Sequence, residues 1–209
     1  MTTDRTHFNN AWLIEMPQGI GTFELFDMIE YNINDLKKNG LTPVNLAGNL
    51  KKIDLPQSAY YWYEVDNKIV LGMELAKEKQ GWIVRGVGKH PRLKGRPPYA
   101  SDLYNAVLHD SGHSIRLMSD IDLSDEGYNI WKKLFSLGHK ISVYDRKNPG
   151  QTFKTFDSLE DFDNYFKTDD TNFRRYQFIL SESGMMLAET RSHFNTRRMR
   201  ELAGFGLTD

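Results

Sequence analysis

Apolar residues recur with helical spacing in the first part of the chain. Intervals of three or four residues separate Phe23, Phe26, Ile29, Ile33 and Leu36. This spacing predicts a helix with one apolar face, with Thr22 able to cap its start and Gly40 able to end it. Because a short apolar stretch at residues 11–15 comes earlier, the sequence predicts a strand and then an amphipathic helix.

The middle of the chain has the pattern of an antiparallel meander. Residues 60–65, 68–75 and 82–87 are rich in aromatic and β-branched side chains. Asp66-Asn67 is typical of a tight turn between two strands. Residues 41–58, which contain two prolines and a glycine, favour an irregular connection.

Helices and strands then alternate. After the Pro97-Pro98 pair, the pattern predicts a helix over residues 99–108, a strand over 115–118, a helix over 124–137 and a strand over 140–144. Farther on, Asp157 and Glu160 form a capping-box pattern before a helix that ends near Phe166. A strand over residues 174–180 and a helix over 187–202 complete the series.

This order of elements predicts the fold class and the domain organisation. Hairpins followed by alternation are typical of an α+β (mixed α/β) protein with a mixed sheet and helices on both faces. The segment RKNPGQ, residues 146–151, has the composition of a linker. We therefore expect a main domain over residues 1–145 and a C-terminal α-β-α extension over residues 146–209, packed on the domain or following it.

Composition excludes several classes of function. The chain has 209 residues, no cysteine and a formal net charge of −1, so thiolate chemistry and a strongly basic nucleic-acid binder are not expected. The P-loop and G-x-S-x-G patterns are missing. The pair His109 and His113 has metal-ligand spacing, but Gly112 indicates a helix end there, so we expect no metal. With no apolar run of membrane-spanning length, we expect a cytoplasmic protein.

Two carboxylates are candidates for a general base. Asp120 follows a predicted strand at its carboxyl end, where sites in mixed sheets commonly lie, and it could equally hydrogen-bond its own loop. Glu74 lies near the end of the second meander strand, where the alternative is an ordinary surface position.

The order strand, helix, three antiparallel strands, helix, strand, helix, strand resembles the GNAT acyltransferase fold over roughly residues 11–145. In that family a loop of pattern Gln/Arg-x-x-Gly-x-Gly/Ala follows the meander and binds the coenzyme A pyrophosphate at a helix N-terminus. Here the same place reads Arg92-Leu93-Lys94-Gly95-Arg96-Pro97. A weaker likeness, carried by SDIDLSDEGYNIWKKL at residues 119–134, is to GNAT-like proteins of tailed phages.

The resemblance implies an N-acyltransferase that moves an acetyl or other acyl group from acyl-coenzyme A to an amine. It implies coenzyme contacts from Val87, Arg92, Leu93, Lys94, Gly95 and Arg96, with Asp120 or Glu74 as base. Tyr128 is the nearest counterpart of the tyrosine that serves the family as general acid, although it lies near the start of its helix rather than the end.

The loop also departs from the family pattern. Pro97 stands where the last small residue belongs, and Pro97 and Pro98 both lack the N–H that a pyrophosphate would use. This favours the alternative that the domain is a non-catalytic binding module.

Two basic segments indicate where such a module would bind. One spans residues 85–96 without an acidic residue and contains Arg85, Lys89, Arg92, Lys94 and Arg96. The other contains Arg191, Arg197, Arg198 and Arg200. Both could contact nucleic acid or an acidic protein through phosphate or carboxylate groups.

Overall fold

The computed structural model describes residues 22–79, 81–112, 115–148, 154–166 and 174–181. The four helices of this part are α1 (Thr22–Lys38), α2 (Ala100–Asp110), α3 (Asp125–Ser136) and α4 (Glu160–Asp163). Its strands are β1 (Val44–Asn45), β2 (Leu50–Asp54), β3 (Ser58–Val65), β4 (Lys68–Glu78), β5 (Gly81–Lys89), β6 (Leu117–Ser119), β7 (Lys140–Asp145), β8 (Lys154–Thr155) and β9 (Tyr176–Ser181). They form one mixed sheet, so the α+β class is confirmed.

The first five strands form a continuous antiparallel meander. Between β3 and β4, Asp66 and Asn67 both have positive φ, 49° and 60°, which is the backbone that a two-residue hairpin turn requires. The prediction of an irregular connection over residues 41–58 is wrong, because β1 and β2 lie there. Leu50 and Ile53 of β2 are buried, while Lys51 and Lys52 form ion pairs with Glu64 and Asp110.

Helices cover both faces of the sheet. On one face, Phe26, Ile29 and Ile33 of α1 pack against Tyr60 and Trp62 of β3. On the other face, α2 and α3 pack against alternate residues of the same strands, in a core that contains Tyr61, Leu71, Met73, Leu103, Val107, Trp131 and Leu134. The alternation of β-strand side chains thus supplies both cores from one meander.

Helix α1 approaches the sheet closely because glycines line the strands beneath it. A Cβ on Gly88 of β5 would clash with the backbone of Phe26, and a Cβ on Gly72 of β4 would lie 2.6 Å from the side chain of Ile29. Only a residue without a Cβ leaves room for the helix backbone at Gly88. The helix is therefore held directly over β4 and β5.

The second half of the sheet has a different strand order. β6 runs parallel to β5, and β9 is inserted between β6 and β7 and pairs antiparallel with both. Residues 176–181, from the predicted C-terminal extension, thus belong to the same sheet as β6 and β7. The short edge strand β8 completes the sheet beside β7.

The predicted helices and strands from residue 99 onward correspond to α2, β6, α3, β7 and β9, with shifts of one or two residues at the ends. Ser124 caps α3 by accepting a hydrogen bond from Gly127 N at 3.1 Å, as its pattern predicts. Helix α4 is shorter than predicted. Its start is held by Asp161, which accepts from the N–H groups of Asp157 and Ser158, rather than by Glu160.

The expected strand at residues 11–15 and the expected helix at residues 187–202 lie outside the described residues. None of the described helices combines the length and apolar character needed to cross a membrane.

Candidate active site

Strand β5 extends beyond the end of its parallel neighbour β6. These neighbouring strands pair at three positions, of which the last joins Val84 to Ser119. Strand β6 ends there, whereas β5 continues for five more residues to Lys89. Beyond Val84, the edge of β5 that faced β6 is therefore no longer paired with it.

A β-bulge on β5 directly follows its last pair with β6. Leu75 pairs with Val84 and Glu74 pairs with Gly86, so Arg85 is an extra residue on β5. A bulge bends its strand and redirects side chains, and such irregularities occur frequently beside active sites. Here it brings Arg85 next to the loop that follows β6.

Glu74 lies across from the bulge on the face that α1 covers. Its carboxylate is hydrogen-bonded to Tyr60, its cross-strand neighbour on β3, and Tyr60 is also hydrogen-bonded to Asn32 of α1. Burial raises the pKa of Glu74, against the opposing effects of the Tyr60 hydrogen bond and the charge of Arg85. A carboxylate in this environment is a better proton acceptor at neutral pH than an exposed one.

Asp120 occupies the first position after β6. One of its oxygens accepts a hydrogen bond from Ile121 N at 2.6 Å, and the other lies 3.8 Å from the guanidinium of Arg85. Burial raises the pKa of Asp120, while Arg85 and backbone hydrogen bonds lower it. Both readings of this residue from the sequence, a base and a loop-stabilising group, are thus compatible with its contacts.

The charge of Arg85 lowers the pKa of both Glu74 and Asp120, which are 46 residues apart in the chain. The sequence pattern assigned Arg85 to the basic loop and gave no sign of this role, because the bulge and the parallel register that create it depend on tertiary pairing.

Tyr128 has a different environment. Its hydroxyl donates a hydrogen bond to Asp163, and its ring stacks on Phe166 with centroids 3.9 Å apart. Burial and the neighbouring carboxylate of Asp163 raise the pKa of Tyr128. The hydroxyl therefore keeps its proton, which is directed at Asp163.

The loop between β5 and α2 contains the other predicted site residues. Val87 is on β5, opposite Met73, and is partly buried against the core beneath α2 and α3. Residues Pro91–Leu93 form a turn of 3₁₀ helix, and Gly95 has a φ of +77°, a backbone conformation that glycine adopts without strain. The side chains of Arg92, Lys94 and Arg96 extend from this turn at exposed positions.

The backbone of this loop is largely hydrogen-bonded to itself. Arg92 N donates to His90 Nδ1, and the N–H groups of Leu93, Lys94 and Arg96 donate to carbonyl oxygens three residues earlier in the chain. At the start of α2, Tyr99 N donates to the Asp102 carboxylate at 2.7 Å. Few amide donors of the loop are left for a pyrophosphate.

The side chain of Lys89, at the end of β5, binds the loop. Its ammonium donates to the carbonyl oxygen of Arg96 and lies 5.1 Å from the centre of the Tyr99 ring. Burial lowers the pKa of Lys89, against the effect of the Asp102 carboxylate. The basic segment predicted over residues 85–96 is thus divided among Arg85 at the carboxylates, Lys89 under the loop, and the exposed Arg92, Lys94 and Arg96.

The second basic segment, Arg191 to Arg200, lies outside the described residues, as does His113 of the histidine pair. Within the described part of the chain, no group of three or more metal-ligating side chains is placed to hold a metal ion.

Comparison with models of known protein families, with curated proteins and with solved structures found no significant match. The likeness to GNAT acyltransferases and to phage GNAT-like proteins therefore remains a prediction.

Proposed function

We propose that this protein is a GNAT-like N-acyltransferase that moves an acyl group from acyl-coenzyme A to an amine. The observation that carries the proposal is the end of β6 at Ser119, where β5 continues unpaired with it to Lys89, with two partly buried carboxylates, Glu74 and Asp120, nearby. In the GNAT fold that this chain resembles, acyl-coenzyme A lies between the strands before and after the basic loop, and an attacking amine needs a base within hydrogen-bond reach.

The order of the elements supports the same proposal. A meander leads through a basic loop into α2, and α2 connects β5 to a parallel neighbour, in the order that the resemblance implies. Parallel neighbours require a crossover of this kind, which places the loop at the carboxyl end of β5. The loop and the carboxylates then lie at successive points along the same strand.

The loop fits the phosphate groups of coenzyme A through side chains rather than through its backbone. Arg92, Lys94 and Arg96 are exposed cations on one short turn, and guanidinium groups match phosphate geometry well. Bound coenzyme A would supply the activated thioester. The chain itself would position the amine and remove its proton, with Glu74 or Asp120 as the base.

A thermal-shift titration with acetyl-coenzyme A tests the proposal. A ligand at 100 times its Kd stabilises the folded state by about 2.7 kcal/mol, which is a rise in Tm of about 5–10 °C for a chain of this size. The double variant Arg92→Ala/Arg96→Ala should weaken the effect, whereas Lys133→Ala, which removes an exposed cation from α3, should not. No shift at millimolar acetyl-coenzyme A would contradict the proposal.

A second candidate is a non-catalytic GNAT-like module that binds nucleic acid. The observation that favours it is that the loop amides are used internally while its cationic side chains remain exposed. Such binding would weaken steeply with added salt because cations on the protein displace counterions from the phosphate backbone. Salt-sensitive binding to a DNA or RNA oligonucleotide, with no response to acetyl-coenzyme A, would favour this candidate.

A further inference from the structure

Arg85 lies among carboxylates but forms only long ion pairs with two of them. Its guanidinium lies 3.8 Å from Asp120 and 4.0 Å from Glu78, and its charge also acts on Glu74. Both distances exceed hydrogen-bond length, and the guanidinium makes no hydrogen bond to any residue that the structure describes. A guanidinium group carries five N–H donors, so Arg85 can still donate hydrogen bonds to a partner.

Two other arginines of the same chain are hydrogen-bonded to carboxylates. Arg175 binds Asp145 with two hydrogen bonds of 3.0 and 2.7 Å, and Arg174 binds Asp122 at 2.7 Å. The long ion pairs of Arg85 are therefore a local feature of the bulge, at the point where β5 extends beyond β6.

The charges around Arg85 are mixed in sign. A second cation on the acceptor would meet the like charge of Arg85, and an acceptor carrying only negative charge would meet Glu74, Glu78 and Asp120. An amine with no further charge would leave the donors of Arg85 unfilled. A zwitterion, with an ammonium next to a carboxylate, complements both the acids and the arginine.

We propose that the amine acceptor is an α-amino acid or a close analogue, with its carboxylate bound by Arg85 and its amino group between Glu74 and Asp120. This inference rests on the N-acyltransferase function proposed above. Guanidinium and carboxylate groups can pair through two parallel hydrogen bonds, which fixes the orientation of the acceptor as well as its position.

The reaction then balances without a further reactant. The ammonium gives one proton to Glu74, and the neutral amine attacks the thioester carbonyl. The carbon–nitrogen bond forms, the carbon–sulfur bond breaks, and the departing thiolate takes the remaining extra proton of the nitrogen. The products are an N-acyl amino acid and free coenzyme A, and Glu74 releases its proton to solvent.

The test measures thiol release from acetyl-coenzyme A by the full chain with pairs of acceptors, each an amino acid and the amine that lacks its carboxylate. The pairs are L-tyrosine and tyramine, L-histidine and histamine, and L-lysine and cadaverine. A charge-assisted pair of this type is worth about 10–100-fold in kcat/KM, so in at least one pair the amino acid should be the better acceptor by that factor. Arg85→Gln should remove this preference by raising KM for the amino acid, so that the kcat/KM values of the amino acid and its decarboxylated amine come within about twofold of each other.

Controls separate binding from folding. Arg85→Lys should restore part of the preference because it keeps the charge, and Lys77→Gln, at an exposed position on β4, should change nothing. Unchanged Tm and unchanged binding of acetyl-coenzyme A would show that Arg85→Gln is folded.

The two proposals fail in different ways. Two results would overturn the amino-acid acceptor and leave acyl transfer standing. One is thiol release that is at least as fast with the decarboxylated amines, and the other is a preference for amino acids that survives Arg85→Gln. Absence of thiol release with every acceptor overturns both.

Discussion

Replacing Gly88 with alanine tests the placement of α1 over the candidate site. The new Cβ would lie 2.7 Å from Phe26 N and 3.0 Å from Phe26 Cβ, closer than the helix backbone allows. Because backbone atoms cannot rotate away, α1 would have to move off β5. Overpacking of this kind costs about 1–3 kcal/mol, and the lower chain entropy of alanine in the unfolded state offsets up to about 1 kcal/mol. Because the contact is with helix backbone, we take the upper end of this range and expect a net loss of about 2 kcal/mol.

Gly86→Ala is the matched control. Gly86 is two residues away on the same strand, faces the same helix, and its new Cβ would meet the flexible end of the Leu25 side chain, 2.7 Å away. A side-chain end can rotate, so the cost should stay within about 1 kcal/mol. In thermal unfolding followed by circular dichroism, Gly88→Ala should lower Tm by about 4–8 °C and Gly86→Ala by less than half as much. Equal shifts for the two variants would refute the close approach of the α1 backbone to β5.

Three further predictions concern single side chains. Ser124→Ala removes the hydrogen bond from Gly127 N at the start of α3 and should lower the free energy of unfolding in urea by about 1 kcal/mol. Ser124→Asp should restore most of this loss. An alanine variant with unchanged stability would contradict the cap. Burial alone would raise the pKa of Glu64, but hydrogen bonds from Lys51, Trp62 and Lys37 outweigh it and lower that pKa to about 2, so the contribution of Glu64 to stability is present above about pH 4.5 and is lost as the pH falls toward 2. Glu64→Gln should therefore destabilise the protein at pH 7 and flatten the pH dependence of its urea midpoint, and a pH profile parallel to that of the wild type would contradict this. The pKa of Glu74 is raised by burial, so the charged carboxylate opposes folding as the pH rises through that pKa. Glu74→Gln should thus raise Tm at pH 7 while it lowers acyl transfer by about 10²–10⁴-fold, and a variant that is both less stable and fully active would show that Glu74 is structural.

Local patterns predicted most of the helices and the meander. Helical spacing identified α1, and the Asp66-Asn67 turn identified the hairpin of β3 and β4, because these features depend on neighbours in sequence. Strand β2 was missed because its two central lysines are polar. They are accommodated by Glu64 and Asp110, which lie 13 and 58 residues farther along the chain.

The order of strands in the second half of the sheet depends on contacts that no local pattern encodes. β9 passes between β6 and β7, where Ser119 Oγ accepts a hydrogen bond from Phe178 N at 3.0 Å and Gln177 donates to Ser119 O at 2.9 Å. These buried contacts join residues almost 60 positions apart. A linker-like composition after residue 145 gave no indication of them.

The candidate site was predicted in part. The end of a strand identified Asp120 and Glu74 as candidate bases, since position in the topology can be read from the sequence. Their common partner Arg85 was not identified, because the bulge that separates it from its neighbours arises from the pairing of β4 with β5. The internal hydrogen bonds of the loop around Gly95 could not be predicted either, because a sequence motif specifies residue types and not backbone hydrogen bonds.

The most direct test of the central claim is a titration of acetyl-coenzyme A into the ¹⁵N-labelled protein, followed by amide chemical shifts. If the coenzyme binds where β5 extends beyond β6, saturable shifts should concentrate on residues 85–89, on Gly95 and on Ser119 and Asp120. Saturable shifts confined to other elements, or none at millimolar acetyl-coenzyme A, would contradict it.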